Sequence, residues 1–372
     1  MTAINQTMDY QAQAEIDRAT RNRAIRHRAQ VRAWLWVVVV ALFALVLVGG
    51  ATRLTESGLS ITEWKPIHGI VPPLSDAEWQ EEFALYQQIP QYSELNSDMT
   101  LEGFKTIFWW EWAHRVIARS IGILFALPLA FFWLTGRIER RLKLPLVGIL
   151  ALGGLQGFIG WWMVSSGLTE RTEVSQYRLA THLVMACLIF SSCLWILRGL
   201  TPHRGDAPPT RHSYLVAALI AGLAFLQIYL GALVAGLDAG LSYNTWPLMD
   251  GALIPSDLFI QVPAWLNLFE NPKTVQFVHR CGAYLLLAVV IGHMIASLRL
   301  APRSTYARQA TVLAVLVVVQ AAIGITTLLL QVPILWGVAH QGGALIVLGF
   351  AIAHWRALVG EYPLETAVAL RR

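Results

Sequence analysis

Charge and cysteine are both scarce in this 372-residue chain. Asp, Glu, Lys and Arg together make up 14% of it, against 56% hydrophobic residues and a mean hydropathy of +0.52. A soluble domain carries about 25% charged residues, so neither a water-soluble fold nor disorder fits. The three cysteines, Cys187, Cys193 and Cys281, all fall in apolar stretches, with no C-x-x-C or C-x-x-C-H spacing. A disulfide framework, a zinc cluster and covalent c-type heme attachment are thereby excluded. The six arginines of the first 32 residues resemble a transit peptide, but Asp9, Glu15 and Asp17 stand among them, and transit peptides are poor in acids. Residues 1–32 are expected to form a flexible cytoplasmic tail.

What is abundant is long apolar sequence. Runs at 33–51, 107–135, 144–167, 176–197, 213–235, 274–298, 307–330 and 334–355 each suit a bilayer core of about 30 Å. The expectation is an all-α membrane protein of eight transmembrane helices, with both termini on one side and the lipid bilayer as solvent. Pro128 interrupts the second run, and a neighbouring helix must then serve the carbonyl it frees. The net charge of +5 resolves into 19 basic and 7 acidic residues in one set of segments against 9 and 16 in the other. By the positive-inside rule the first set, with both termini, is cytoplasmic, as in a bacterial inner membrane. The basic excess therefore reports topology, and no nucleic acid partner is expected. Trp34, Trp36, Trp133, Trp195 and Trp355 fall near inner ends, and Trp109, Trp110, Trp161, Trp162 and Trp336 near outer ends, as two interfacial belts. In the long outer loop 52–106, Ser75 and Glu78 suit a capping box opening a short helix with Trp79, Phe83 and Tyr86 on one face, expected to lie along the membrane surface.

The chain also repeats itself. Glu56-Ser-Gly-Leu-Ser-Ile-Thr-Glu-Trp64 matches Asp238-Ala-Gly-Leu-Ser-Tyr-Asn-Thr-Trp246 at an offset of 182, and His114-Arg115 matches His279-Arg280 at 165. Gln156 and Gly160 match Gln320 and Gly324, and His182 matches His340. Duplication of a four-helix unit gives two pseudo-symmetric four-helix bundles related by an axis along the membrane normal. The expected divisions are the tail 1–32, a first bundle 33–200, a cytoplasmic linker 201–212, a second bundle 213–356 and a tail 357–372.

His114, His182, His279 and His340 each lie roughly 10 Å inside the outer end of a span, at 1.5 Å per residue. Each half thus offers two imidazoles at one depth on two helices, a natural axial pair for a heme iron in an apolar gap. A single intramembrane histidine is as readily an interhelical hydrogen bond; four at repeated positions favour ligands. His293 and His354 have no counterparts and read as structural. His27, His203 and His212 fall in cytoplasmic segments, and His68, in the outer loop, has no assigned role. One position differs between the halves. Glu111 precedes His114 by three residues, and Gln276 stands at the equivalent place before His279, so a proton-active group shares a helix face with one histidine and a neutral amide with the other. Glu111 can also form an i,i+4 ion pair with Arg115. Arg115, Arg119 and Arg280 suit either heme propionates or outer headgroups.

Together Gly58-Leu-Ser-Ile-Thr-Glu-Trp64, Glu111-Trp-Ala-His-Arg115, Thr181-His182, His279-Arg280 and Ala339-His-Gln341 resemble the heme A synthase family, alphaproteobacterial and mitochondrial type, from about Ala33 to Arg356. The resemblance implies oxidation of the C8 methyl of heme O to a formyl group, through a hydroxymethyl intermediate, to give heme A for cytochrome c oxidase. By motif it implies that His114 and His182 hold the heme O substrate, that Glu111 is the catalytic carboxylate, and that the iron of a heme b cofactor is ligated by His279 and His340. It further implies a heme O synthase and an electron-transfer protein as partners, and allows a homo-oligomer. The cysteine pair that the Gram-positive branch carries in its first outer loop is absent here. Two rivals need less: a diheme electron-transfer protein of the quinol or ferric reductase type does not need Glu111, and a heme carrier needs no turnover. A heme O synthase is rejected, because the cytoplasmic loops lack aspartate-rich pyrophosphate motifs.

Overall fold

The computed structural model describes residues 2–64, 68–202 and 210–365, without the side chains of residues 2–12 and His68. Most of the expected linker, with His203, and the end of the C-terminal tail lie outside the described residues. Among these, eight helices are long and apolar enough to span a membrane, at the eight expected places. They are α1 (Thr2–Leu54), α4 (Leu101–Leu134), α5 (Arg140–Val164), α6 (Gln176–Gly199), α7 (Arg211–Gly236), α9 (Pro272–Leu300), α10 (Thr305–Leu329) and α11 (Ile334–Ala357). Short helices α2 (Asp76–Tyr86), α3 (Pro90–Leu95) and α8 (Asn267–Glu270) lie in the two long loops.

A helix satisfies its own backbone, which is why an apolar run in lipid adopts it. Helix α1 packs on α4, α4 on α5, α5 on α6 and α6 back on α1. The second half closes the same way through α7, α9, α10 and α11, and the two rings meet where α6 touches α7 and α11, and α1 touches α11. Leu35, Leu142, Leu146, Leu197, Ile220 and Leu313 are fully buried in the shared core, whereas Leu134, Leu144 and Leu335 stand exposed for lipid.

Two expectations are corrected. Residues 2–32 are helical and continue into the first span as one 53-residue helix; Arg28 near their end is buried and bonds Glu139, Glu361 and the carbonyls of Tyr362 and Pro363. Those contacts also put the start of the first span and the segment after α11 at one end of the molecule. Trp34 is no belt residue: it is buried, and its indole N–H donates to the Leu124 carbonyl at 3.0 Å. That carbonyl lies four residues before Pro128 within α4, so Trp34 supplies the donor that proline cannot. The capping box forms as expected, the Ser75 hydroxyl accepting from the Glu78 N–H and the Glu78 carboxylate from the Ser75 N–H. Helix α2 buries Trp79, Phe83 and Tyr86, with Trp79 edge-on to Phe108 of α4 at 4.9 Å.

Candidate functional site

Each of the four histidines lies against a glycine of a neighbouring helix. A Cβ on Gly49 would sit 3.0 Å from His114, on Gly160 3.1 Å from His182, on Gly231 3.1 Å from His279 and on Gly324 2.5 Å from His340. The first and third helices of each half thus supply glycine, and the second and fourth supply imidazole. A residue without a side chain lets the ring approach the backbone that closely, and at Gly324 a Cβ would force the imidazole to shift. In the second half the His279 and His340 ring centres are 6.5 Å apart. A metal–nitrogen bond is about 2 Å long, so two imidazoles on opposite faces of one ion have centres roughly 6 Å apart.

Glutamine accompanies three of the four. Gln156, Gln227 and Gln320 stand four residues before Gly160, Gly231 and Gly324, on the same helix faces. Each carboxamide Nε2 lies 3.0–3.2 Å from a histidine Nδ1, with the histidine Nε2 at 3.4 Å for Gln156 and Gln227, and donates to that histidine's own carbonyl. The Oε1 atoms of all three are buried without a partner. A histidine that ligates through Nε2 carries its proton on Nδ1 and needs an acceptor there; the unpartnered Oε1 supplies one when the carboxamide turns, in exchange for its present bond to the histidine carbonyl. Four imidazoles whose ring edges face glycine backbone, with three orphaned acceptors beside them, fit heme iron. Gln227 and the Gly49/Gly231 pair escaped the sequence reading, although Gly49 and Gly231 share the offset of 182 already fixed by the loop motif.

Glu111 is 3% exposed and every bond it makes is to the loop that follows α1 or to its own helix. One carboxylate oxygen accepts from the Ser60 hydroxyl at 2.8 Å and the Ile61 N–H at 2.7 Å; the other accepts from the Arg115 guanidinium at 2.6 and 3.1 Å. Arg115 also donates to the carbonyls of Ile61 and Glu63. The i,i+4 ion pair considered from sequence is thus present, and the loop 60–63 is tied to α4 through it. The second half has an amide at the equivalent position, with backbone carbonyls as its partners in place of donors. Gln276 donates to the carbonyls of Ala239 and Tyr243, and Arg280 to those of Tyr243 and Leu248 and to the Gln276 carboxamide. With an amide in place of the acid, the Arg280 Nε–H stays buried and unpartnered, a donor open to an anion such as a propionate. Arg115 and Arg119 line a cavity of about 350 Å³ with Ile61, Glu63, Phe108 and Trp112, and Arg119 donates to the Gly69 carbonyl.

Outside this region, His293 and His354 meet Nε2 to Nε2 at 3.0 Å near the opposite end of the second bundle. Tyr306 bonds His293, and Gln309 accepts from His354. Both histidines are buried, and His293 and Tyr306 line a cavity of about 190 Å³ with His212 and Ser213.

The fold and site are those of a polytopic α-helical membrane protein with two pairs of half-buried histidines and, among the described residues, a buried acid in one half only. Residues 32–352 match the COX15-CtaA model, described as cytochrome oxidase assembly protein, and the chain belongs to that family. It is similar to the heme A synthase of Sinorhizobium medicae, at 73% identity over 357 residues and 96% of each chain. The heme A synthase of Sinorhizobium fredii is 72% identical over 96% of each chain, and that of Rhizobium etli (strain ATCC 51251) is 67% identical over the whole of both.

Proposed function

We propose that the protein is a heme A synthase that oxidises the C8 methyl of heme O to a formyl group, with heme O held in the first half (33–200) by His114 and His182. Glu111 is the proton-handling carboxylate of that reaction, since converting a methyl to a formyl group removes hydrogen from carbon and the protons need a base within reach. Ser60 and the Ile61 N–H fix its orientation, and Arg115 supplies its counter-charge. His279 and His340, in the second half (213–356), hold heme b, which supplies one-electron redox capacity. Arg280, and Arg115 and Arg119 beside the first-half cavity, are the propionate partners. The protein acts in the bacterial inner membrane with both termini cytoplasmic, receives heme O from its synthase and passes electrons to a partner protein.

The observation that carries this reading is the buried Glu111 carboxylate in the first half where the second half has the Gln276 amide, each bonded to the arginine four residues on. Glu111→Gln should leave heme b bound and the protein folded, and abolish heme A in pigment extracted from cells lacking another synthase. Normal heme A in those cells would overturn the assignment.

A further inference from the structure

Three of the four histidines have a glutamine at Nδ1; the fourth does not. On α1, four residues before Gly49 and at the repeat position of Gln227, stands Leu45. His114 has no side-chain hydrogen bond among the described residues, and a leucine cannot provide one. The second half also reserves room for its carboxamides. A Cβ on Gly282 or Gly343, each three residues after a histidine, would collide with the Oε1 of Gln227 or Gln320, whereas Ile117 and Met185 fill those places in the first half.

We propose that Leu45 makes His114 the releasing ligand, so that the first-half site can take in and give up a heme, while Gln227 and Gln320 lock the second-half heme in place. The inference rests on the assignment of the four histidines as heme ligands. The physical reason is the ligand's second contact. An acceptor at Nδ1 fixes the tautomer and the ring plane and raises the basicity of Nε2, and its loss weakens metal binding by roughly 10–100-fold. In the second half both histidines have such a partner within reach, which suits a heme that stays. A substrate that becomes a product requires one that lets go, with the other, here His182 with Gln156, keeping the molecule in register while it does.

The test uses the purified full-length chain and ferric heme b as probe. The protein is loaded with excess heme, freed of the surplus, and mixed with apomyoglobin as scavenger while heme loss is followed in the Soret band. Two hemes per chain should leave in two phases. Leu45→Gln should slow the fast phase by roughly 10–100-fold, and Gln227→Leu should speed the slow phase by a similar factor. Carbon monoxide, which must displace an axial ligand, should bind about half of the reduced heme in the parent protein and less in Leu45→Gln. Two hemes that leave at rates unchanged by both substitutions overturn the proposal; if Leu45→Gln does not fold, Gln227→Leu alone decides. Uptake of fewer than two hemes by the parent protein overturns the four-ligand assignment itself, and the proposal with it.

Discussion

Pro128 cannot donate to the Leu124 carbonyl, and Trp34 reaches across from α1 to do so. Removing that donor leaves a buried acceptor unsatisfied, at a cost of about 1–3 kcal/mol. Trp34→Phe should therefore lower thermal stability well beyond a conservative ring exchange. In a Pro128→Ala background, where residue 128 regains its N–H, the same substitution should cost distinctly less. Equal losses in both backgrounds, measured as unfolding midpoints in detergent, would remove the carbonyl from the explanation. The freed carbonyl was legible in the sequence, and its partner was not. A tryptophan at a span end suits lipid headgroups as well as a neighbouring helix, and only the packing of α1 on α4 decides between them. Glu111 was legible because duplication set Gln276 beside it for comparison. Gln227 was passed over for the converse reason: its counterpart is Leu45, so a search for likeness finds nothing there, although the difference is what distinguishes the two halves.

At the scale of elements, the repeat is more faithful in backbone than in side chains. Glu56 after α1 and Asp238 after α7 both adopt left-handed conformations, with φ of 53° and 47°, so the chain leaves the first helix of each half by the same turn. Arg53, at the end of α1, joins the two exits by bonding Glu173 at 2.8 Å and Asp238 at 3.0 Å. Burial pushes the Glu173 carboxyl up to about 7 from its usual 4.5; Arg53 opposes this, and the acids Asp238 and Glu56 add to it. A carboxyl with a raised value in the folded state holds its proton longer there than in the unfolded chain. The stability it contributes is present below about 4.5 and lost as pH rises through about 7. Thermal stability of the purified chain should thus decline over that window, and Glu173→Gln should flatten the decline while leaving the acid limb unchanged. A parallel profile in the variant would assign the pH dependence to other groups. Sequence placed both exits through the loop motif, but Glu173 lies in a short loop that repeats nothing, and its partners come from α1 and the end of α7.

For the molecule as a whole, eight spans and their pairing into two rings were readable because lipid allows so few alternatives to a helix, and because four histidines, two loops and two glutamine–glycine pairs recur in order. The helical start of α1 was not. Its polarity reads as a solvated tail, and what holds its end in place is a buried contact, Arg28 with Glu139 and the 361–363 segment, between residues over a hundred positions apart. That contact puts the start of the first span and the segment after α11 on one face, and the charge census assigns the face. With 19 basic and 7 acidic residues on it against 9 and 16 on the other, it should be cytoplasmic. Gln87, after α2, and Arg303, between α9 and α10, are exposed on opposite sides and report the orientation directly. Placed singly in a chain whose three cysteines are serine, Gln87→Cys should react with a membrane-impermeant maleimide in intact spheroplasts, and Arg303→Cys only once the membrane is opened. The reverse pattern would turn the protein over and put the histidine pairs near the cytoplasm. Labelling as expected would set them near the outer face, within reach of the loops that hold Glu111 and Gln276.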